Sequence, residues 1–259
     1  MTNYYFVGAS LPQIKIGAPL EMTFADYDQL LKLNLNTGDY RLTQAYRRYW
    51  DIRNAYALWT GEPLDPHGNL TGRELEEALF AAEELPGYVQ EYLRKYVSKE
   101  SRLENFPELI ATYFRVESQK ANGALKFVLD LERQLRFVLV CFRAKRLGRN
   151  MLVELQYEDP EEPFIAQLLA YKDSKTFEPP ERFVPLKEAF EKFGDSPLEL
   201  YQAVCEFEFN ELNQYVGLQS FSMDRLIVYL VQLIMAEQWL ELDKKKGLEI
   251  VDRFVKEKA

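Results

Sequence analysis

With 259 residues, 47% of them apolar and 14% aromatic, the chain has ample material for a buried core, and intrinsic disorder is excluded as its main state. A net charge of −9 excludes nonspecific nucleic-acid binding, which needs a basic footprint to displace counterions. Twelve glycines and 12 prolines are too few turn formers for an all-β protein, so the expected class is mainly all-α, in multi-helix bundle lobes.

Taken in chain order, the first residues carry no basic stretch ahead of an apolar run, so no signal peptide is expected. Tyr4 to Ser10 reads as a short strand or extended lead-in, closed by Leu11-Pro12. Thr23 and Asp26 then offer an N-cap, and Phe24, Tyr27, Leu30, Leu31 and Leu35 follow at helical spacing. A second helix is expected from about Tyr40 to Thr60, stopped by Gly61. Thr71 and Glu74 have capping-box spacing ahead of Leu75, Ala78, Leu79 and Ala82. Pro86 opens a turn or helix through Tyr96, Pro107 suits the first turn of another, and Asn122 opens the longest candidate, which reaches about Gly148.

Between Met151 and Pro197 lie six of the 12 prolines. This stretch reads as a linker region with short helices at about 160–171 and 185–193. Ser196-Pro197 starts another helix, and Ser222 with Asp224 opens the last long one. Gly247 is expected to break the chain before a terminal pair of amphipathic turns. The apolar run from Leu226 to Ala236 is interrupted by Gln232 and is too short to cross a bilayer. These boundaries divide the chain into helical lobes at 1–172 and a C-terminal helical lobe at 173–259, joined by a Pro-rich stretch at about 173–197.

Catalytic constellations are hard to assemble from these residues. The single histidine, His67, lies in Asp65-Pro-His-Gly-Asn69, whose composition reads as a surface turn. Asp65, His67, Asn69, Thr71 and Glu76 mimic a calcium-loop spacing, but Leu70 occupies the position that must be glycine. Cys141 and Cys205 both sit in apolar stretches and read as reduced, buried thiols. Glu206 and Glu208 flank Phe207 on a helix and read as a solvated edge. No phosphate-cradling glycine motif is present, and no catalytic residue, cofactor or metal ligand is assigned.

The most informative segment is the long helix, where Arg133, Arg136, Arg143 and Arg146 share a stripe roughly 140° wide. Two readings stay open for it. The arginines pair internally with glutamates, or they form a concave basic surface for an acidic or carbonyl-rich partner such as a helix end. Tyr49 to Leu58 and Val128 to Phe137 also echo each other, each placing an acidic residue early in an apolar, Arg-bearing helix.

Several of these stretches carry a family likeness: Tyr4-Tyr-Phe-Val-Gly-Ala-Ser-Leu-Pro12, Asp51-Ile-Arg-Asn54, Leu129-Asp-Leu-Glu-Arg133, Phe142-Arg-Ala-Lys-Arg146, Phe207-Glu-Phe-Asn210 and Tyr229-Leu-Val-Gln-Leu233. In them the chain resembles a bacterial family of unassigned proteins encoded among V-type ATP synthase subunits. That family is in turn similar to the C component of the V- and A-type ATPases (the d component in eukaryotes). The C component is an all-helical socket of repeated lobes that links the central shaft to the membrane rotor ring. The resemblance implies a C/d-like, nonenzymatic structural part of a V-type ATPase, cytoplasmic and peripheral at the inner face of the membrane through protein contacts. Its implied partners are the central shaft and the rotor ring. Asp51, Asn54 and Arg133 would be structural residues of inner helices, and Arg136, Arg143, Lys145 and Arg146 would meet the shaft. The Pro-rich stretch departs from the regular repeats of that socket, which leaves the number of lobes open. Two alternatives stand beside this reading: a soluble helical adaptor or regulatory protein, and an enzyme with an acid pair in a cleft.

Overall fold

A computed structural model describes residues 4–82, 85–217 and 221–242. Among these residues there are 13 α-helices, one 3-10 turn and no strand, so the chain is all-α. In order the helices are α1 (Tyr5–Ser10), α2 (Phe24–Asn34), α3 (Thr37–Thr60), α4 (Gly72–Ala81), α5 (Gly87–Lys95), α6 (Lys99–Glu104) and α7 (Phe106–Lys120). They continue with α8 (Gly123–Arg146), α9 (Met151–Glu154), α10 (Pro163–Leu169), the 3-10 turn Glu181–Phe183, α11 (Val184–Phe193), α12 (Pro197–Val216) and α13 (Met223–Glu241). The lead-in expected to be extended is instead helix α1, which buries Val7 while Tyr5 and Phe6 stay exposed. Gly247 and the turns expected after it lie outside the described residues.

Caps explain many of the boundaries. The Asn36 side chain accepts the backbone N–H of Asp39 and starts α3, which ends on Gly61 in the left-handed region at φ 82°. Thr71 and Glu74 form the reciprocal capping box at the head of α4. Pro107, Pro163, Pro185 and Pro197 each lie in the first turn of a helix, where a missing N–H costs nothing.

The helices gather into two compact units: the described residues of Leu35–Pro180, and those of Met1–Asn34 with Glu181–Ala259. This differs from the expected division at 172/173. The second crossing falls eight residues later, inside the Pro-rich stretch, and residues 4–34 join the C-terminal segment. Local pattern cannot reveal that pairing, because the cause is long-range. Tyr27 on α2 packs its ring 4.9 Å from that of Tyr229 and donates its hydroxyl to the Leu226 carbonyl at 2.8 Å. The backbone N–H of Phe24, at the start of α2, donates to Glu237 at 2.6 Å.

In this second unit α13 is the core element, with every residue from Leu226 to Ala236 buried. Gln232, the polar interruption in that run, satisfies its amide by donating to Asn213 of α12 at 2.8 Å. No described helix is long and apolar enough to cross a membrane.

The unit of α3 to α10 is centred on α3, α7 and α8. Tyr113 of α7 is wholly buried and donates its hydroxyl to the carbonyls of Tyr46, at 3.0 Å, and Ala45, at 3.3 Å, of α3. Val128, Leu129, Leu131, Val138 and Cys141 of α8 are fully buried. Burial pushes the Cys141 thiol up to about 12 and the Cys205 thiol up to about 11, so both remain protonated and unreactive.

The burial pattern sets an expected contrast. Leu230→Ala opens a cavity in a fully buried site and should lower stability by about 2–5 kcal/mol, whereas Leu33→Ala on the exposed face of α2 should stay within about 0.5 kcal/mol. Urea unfolding followed by far-ultraviolet circular dichroism measures both.

Candidate functional site

The arginine stripe of α8 divides into two halves with different environments. In the N-terminal half, Arg133 reaches both Glu158 and Glu162, donating Nη2 to them at 2.7 and 2.6 Å and Nη1 to Glu162 at 2.9 Å. Its guanidinium also lies 5.0 Å from the centre of the Phe137 ring. Arg136 turns inward as well. Burial lowers its pKa, with the Glu158 carboxylate pulling the other way, and its Nη1 has no hydrogen-bond partner. Internal pairing therefore describes Arg133, while Arg136 is half-buried.

The C-terminal half is different. Arg143 and Arg146 are exposed. Lys145 between them donates to the carbonyls of Lys172 and Ser174, both at 2.6 Å, and so ties down the turns after α10. Leu147, Leu152 and Val153, which follow these cations in the chain, are exposed at 62, 45 and 58%. Gly148, at φ 63°, turns the chain from α8 towards α9. Arg149 pairs with Glu154 at 3.4 Å. Exposed cations at the end of a 24-residue helix also suit its dipole.

Asp51 and Asn54 hold a loop. Arg47, Asp51 and Asn54 lie within about 60° of each other around α3. Asp51 accepts from the Asn69 N–H at 2.6 Å, the Leu70 N–H at 3.0 Å and the Asn69 side-chain amide at 2.7 Å. Asn54 and Asp65 exchange two hydrogen bonds, both 2.8 Å. Arg47 donates to the carbonyls of His67, at 3.1 Å, and Gly68. Burial raises the Asp51 pKa against the opposing pull of these donors and of Arg47. Gly68 is required by closeness, since a Cβ there would stand 2.7 Å from Asp51 Oδ1.

His67 is thus not on a surface turn. It is 3% exposed, with its Nδ1 2.5 Å from the Asp65 carboxylate. Asp65, His67 and Asn69 of the false calcium loop are spent on this packing, and Thr71 caps α4. Among the described residues no group of three or more His, Cys, Asp or Glu side chains is placed to hold a metal ion. Arg47 and Asn69 were missed at the sequence level, although the 47-51-54 polar spacing on one helical face was the signal for the clamp.

An acid pair does exist in the form of Glu158 and Glu162, along a cleft of about 650 Å³ that also includes Arg133. Burial raises the Glu158 pKa while Arg133 pulls it down. Both carboxylates are held on one guanidinium, the arrangement of a structural tie. Glu206 is exposed as expected, but Glu208 is half-buried rather than solvated, and burial pushes its carboxyl up to about 7. Asp51 and Asp130, the two acids of the internal echo, have unlike partners. Asp130 bonds Ser118 and Lys126 instead of a loop backbone.

A family model described as "Protein of unknown function (DUF2764)" matches residues 1–258. Among similar proteins, one from Chlamydia pneumoniae is 27% identical over 263 residues, covering 99% of this chain and 98% of its own. Another, from Chlamydia muridarum (strain MoPn / Nigg), is 26% identical over 259 residues and covers 97% of each chain. A third, from Chlamydia trachomatis serovar D, is 25% identical over 256 residues, with 96% of each covered. All three are described as uncharacterized proteins, and their names state no partner or activity. No solved structure matches the chain at a significant level.

Two measurements follow from this geometry. Asp51→Ala strands three donors and should cost about 2–4 kcal/mol, seen as a lower thermal midpoint and faster proteolysis between residues 61 and 71. For Glu208, a folded value raised above its ordinary 4.5 means stability that is present at low pH and lost as pH rises from about 4.5 to 7. Glu208→Gln should therefore flatten the fall in thermal midpoint between pH 5 and pH 8. An unchanged slope would show that the carboxyl is solvated.

Proposed function

The chain belongs to the DUF2764 family of proteins of unknown function, and we propose that it serves as a nonenzymatic assembly component that docks on an acidic protein surface through the end of α8 and α9. The observation that carries this reading is that exposed Arg143 and Arg146 and exposed Leu147, Leu152 and Val153 fall within one stretch of the chain, residues 143–153. Cations supply steering and register, while three apolar side chains on one short segment supply area to bury. The α3 clamp and the Arg133 tie support the role in another way. The clamp holds the 65–70 loop on α3, and the tie holds Glu158 and Glu162 on α8, which leaves less to order on binding.

The finer identity of the partner rests on the sequence resemblance. In that reading the partner is the central shaft of a V-type ATPase, met through the acidic and carbonyl groups of a helix end. The membrane rotor ring is the second partner, and the chain is peripheral to the membrane through protein contacts alone. The family and its chlamydial members add no support for or against the ATPase. An adaptor or regulatory role would use the same surface with a different partner.

The test is charge reversal. Arg143→Glu with Arg146→Glu changes only exposed side chains, so circular dichroism should remain that of the parent. Binding to the purified shaft protein, read by biolayer interferometry, should weaken by about tenfold or more, with the loss mainly in the association rate at low salt. Undiminished binding would rule out this surface.

A further inference from the structure

Resting on the docking reading above, we infer that the face of α8 from Arg136 to Arg143 receives an amphipathic helix whose two carboxylates stand seven residues apart, with apolar residues between them. The preceding part of this face is covered by α3, where Tyr46 donates its hydroxyl to Glu132 at 2.8 Å. One turn later the face opens. Arg136, Leu139 and Val140 are half-buried, and Arg143 is exposed. At roughly 100° per residue, Arg143 lies only about 20° from Arg136 around the axis and about 10 Å along it. Leu139 and Val140 fall between them, about 60° to one side and about 40° to the other.

Arg136 is the anchor. Among the described residues its guanidinium makes no hydrogen bond or ion pair. Glu158 acts on it electrostatically, but no hydrogen bond joins the two, and Arg133 holds that carboxylate at 2.7 Å. Of the Arg136 nitrogens only Nη1 is sealed off, so Nε and Nη2 form the edge that a partner can reach. A cation partly removed from water without a counter-charge is costly, and a carboxylate that arrives on binding offsets that cost. Arginines so placed are frequent anchors of protein interfaces.

The spacing selects the partner. One small anion cannot bridge two cations about 10 Å apart, so two anionic groups are needed. The half-buried leucine and valine between the cations call for apolar cover. A helix packed nearly parallel to α8 supplies both, because its residues i and i+7 return to one face with i+3 and i+4 between them.

The probe is a fluorescein-labelled, side-chain-stapled helical peptide with glutamates seven positions apart and leucines three and four positions after the first. Its binding to the full chain is read by fluorescence anisotropy at low salt. Two controls keep the length and the staple. In one the glutamates become glutamines; in the other they stand five positions apart, on different sides of the helix at the same net charge. Saturable binding is expected for the parent peptide, with about tenfold weaker binding for each control. Arg136→Met should weaken the parent peptide by a similar factor and leave the thermal midpoint of the chain unchanged or higher, since it removes a cation that has no partner. A lowered midpoint would assign Arg136 to the interior, beside Glu158, and overturn the inference. So would equal binding of the five-spaced peptide, or no saturation up to about 1 mM. If Arg143→Glu with Arg146→Glu abolishes capture of the shaft protein while the peptide does not bind, the docking surface stands and this inference alone falls.

Discussion

Every backbone N–H and C=O in a buried loop must find a partner, and in this protein that constraint falls on one face of α3. The chain from Glu62 to Thr71 has no helix or strand of its own to satisfy it. Arg47, Asp51 and Asn54 supply the missing donors and acceptors for His67, Gly68, Asn69, Leu70 and Asp65. Much else depends on this clamp. It buries His67, requires glycine at position 68 and places Thr71 where it can cap α4. With α4 in place, Leu75 and Leu79 line a cavity of about 240 Å³ beside α3 and α5.

A second division of labour runs along α8. Its first turns bury Ala124, Leu125, Val128 and Leu129, its middle is tied by Arg133 to Glu158 and Glu162, and its last turn exposes cations. Desolvating Arg133 is expensive, and bidentate pairing with two carboxylates offsets that cost. Removing one partner would leave an uncompensated charge, so the tie orders residues 155–163 rather than adding much net stability. Arg143 and Arg146 lie on the exposed surface, where the cost of desolvation is small. The same residue type thus serves as an internal strut in one half of a helix and as surface chemistry in the other.

Helix existence was legible wherever periodicity and a cap agreed, as at Thr71 with Glu74 and at the Gly61 stop of α3. Pairings between distant segments were not. Nothing local in Phe24 to Asn34 announces that Tyr27 will reach the Leu226 carbonyl, so the N-terminal helices were assigned to the wrong side of the division. The turn composition around His67 correctly gave a turn, but turn chemistry is indifferent to what covers it. Burial came from α3, 20 residues away in the case of Arg47. For the arginine stripe, helical spacing gave the geometry, while the outcome was set by Glu158 and Glu162 in the irregular Pro-rich stretch. A strand-like start was expected for Tyr4 to Ser10 from aromatic content, yet six residues close a short helix because Val7 has a core to enter.

The role as an assembly component stands or falls on company. The most direct measurement is native mass spectrometry of material purified under low salt through an affinity tag on the intact chain. The expected result is one copy of this protein in a complex with the shaft and ring proteins of a V-type ATPase. Recovery of the chain by itself, under conditions that keep that ATPase intact, would contradict the proposed role.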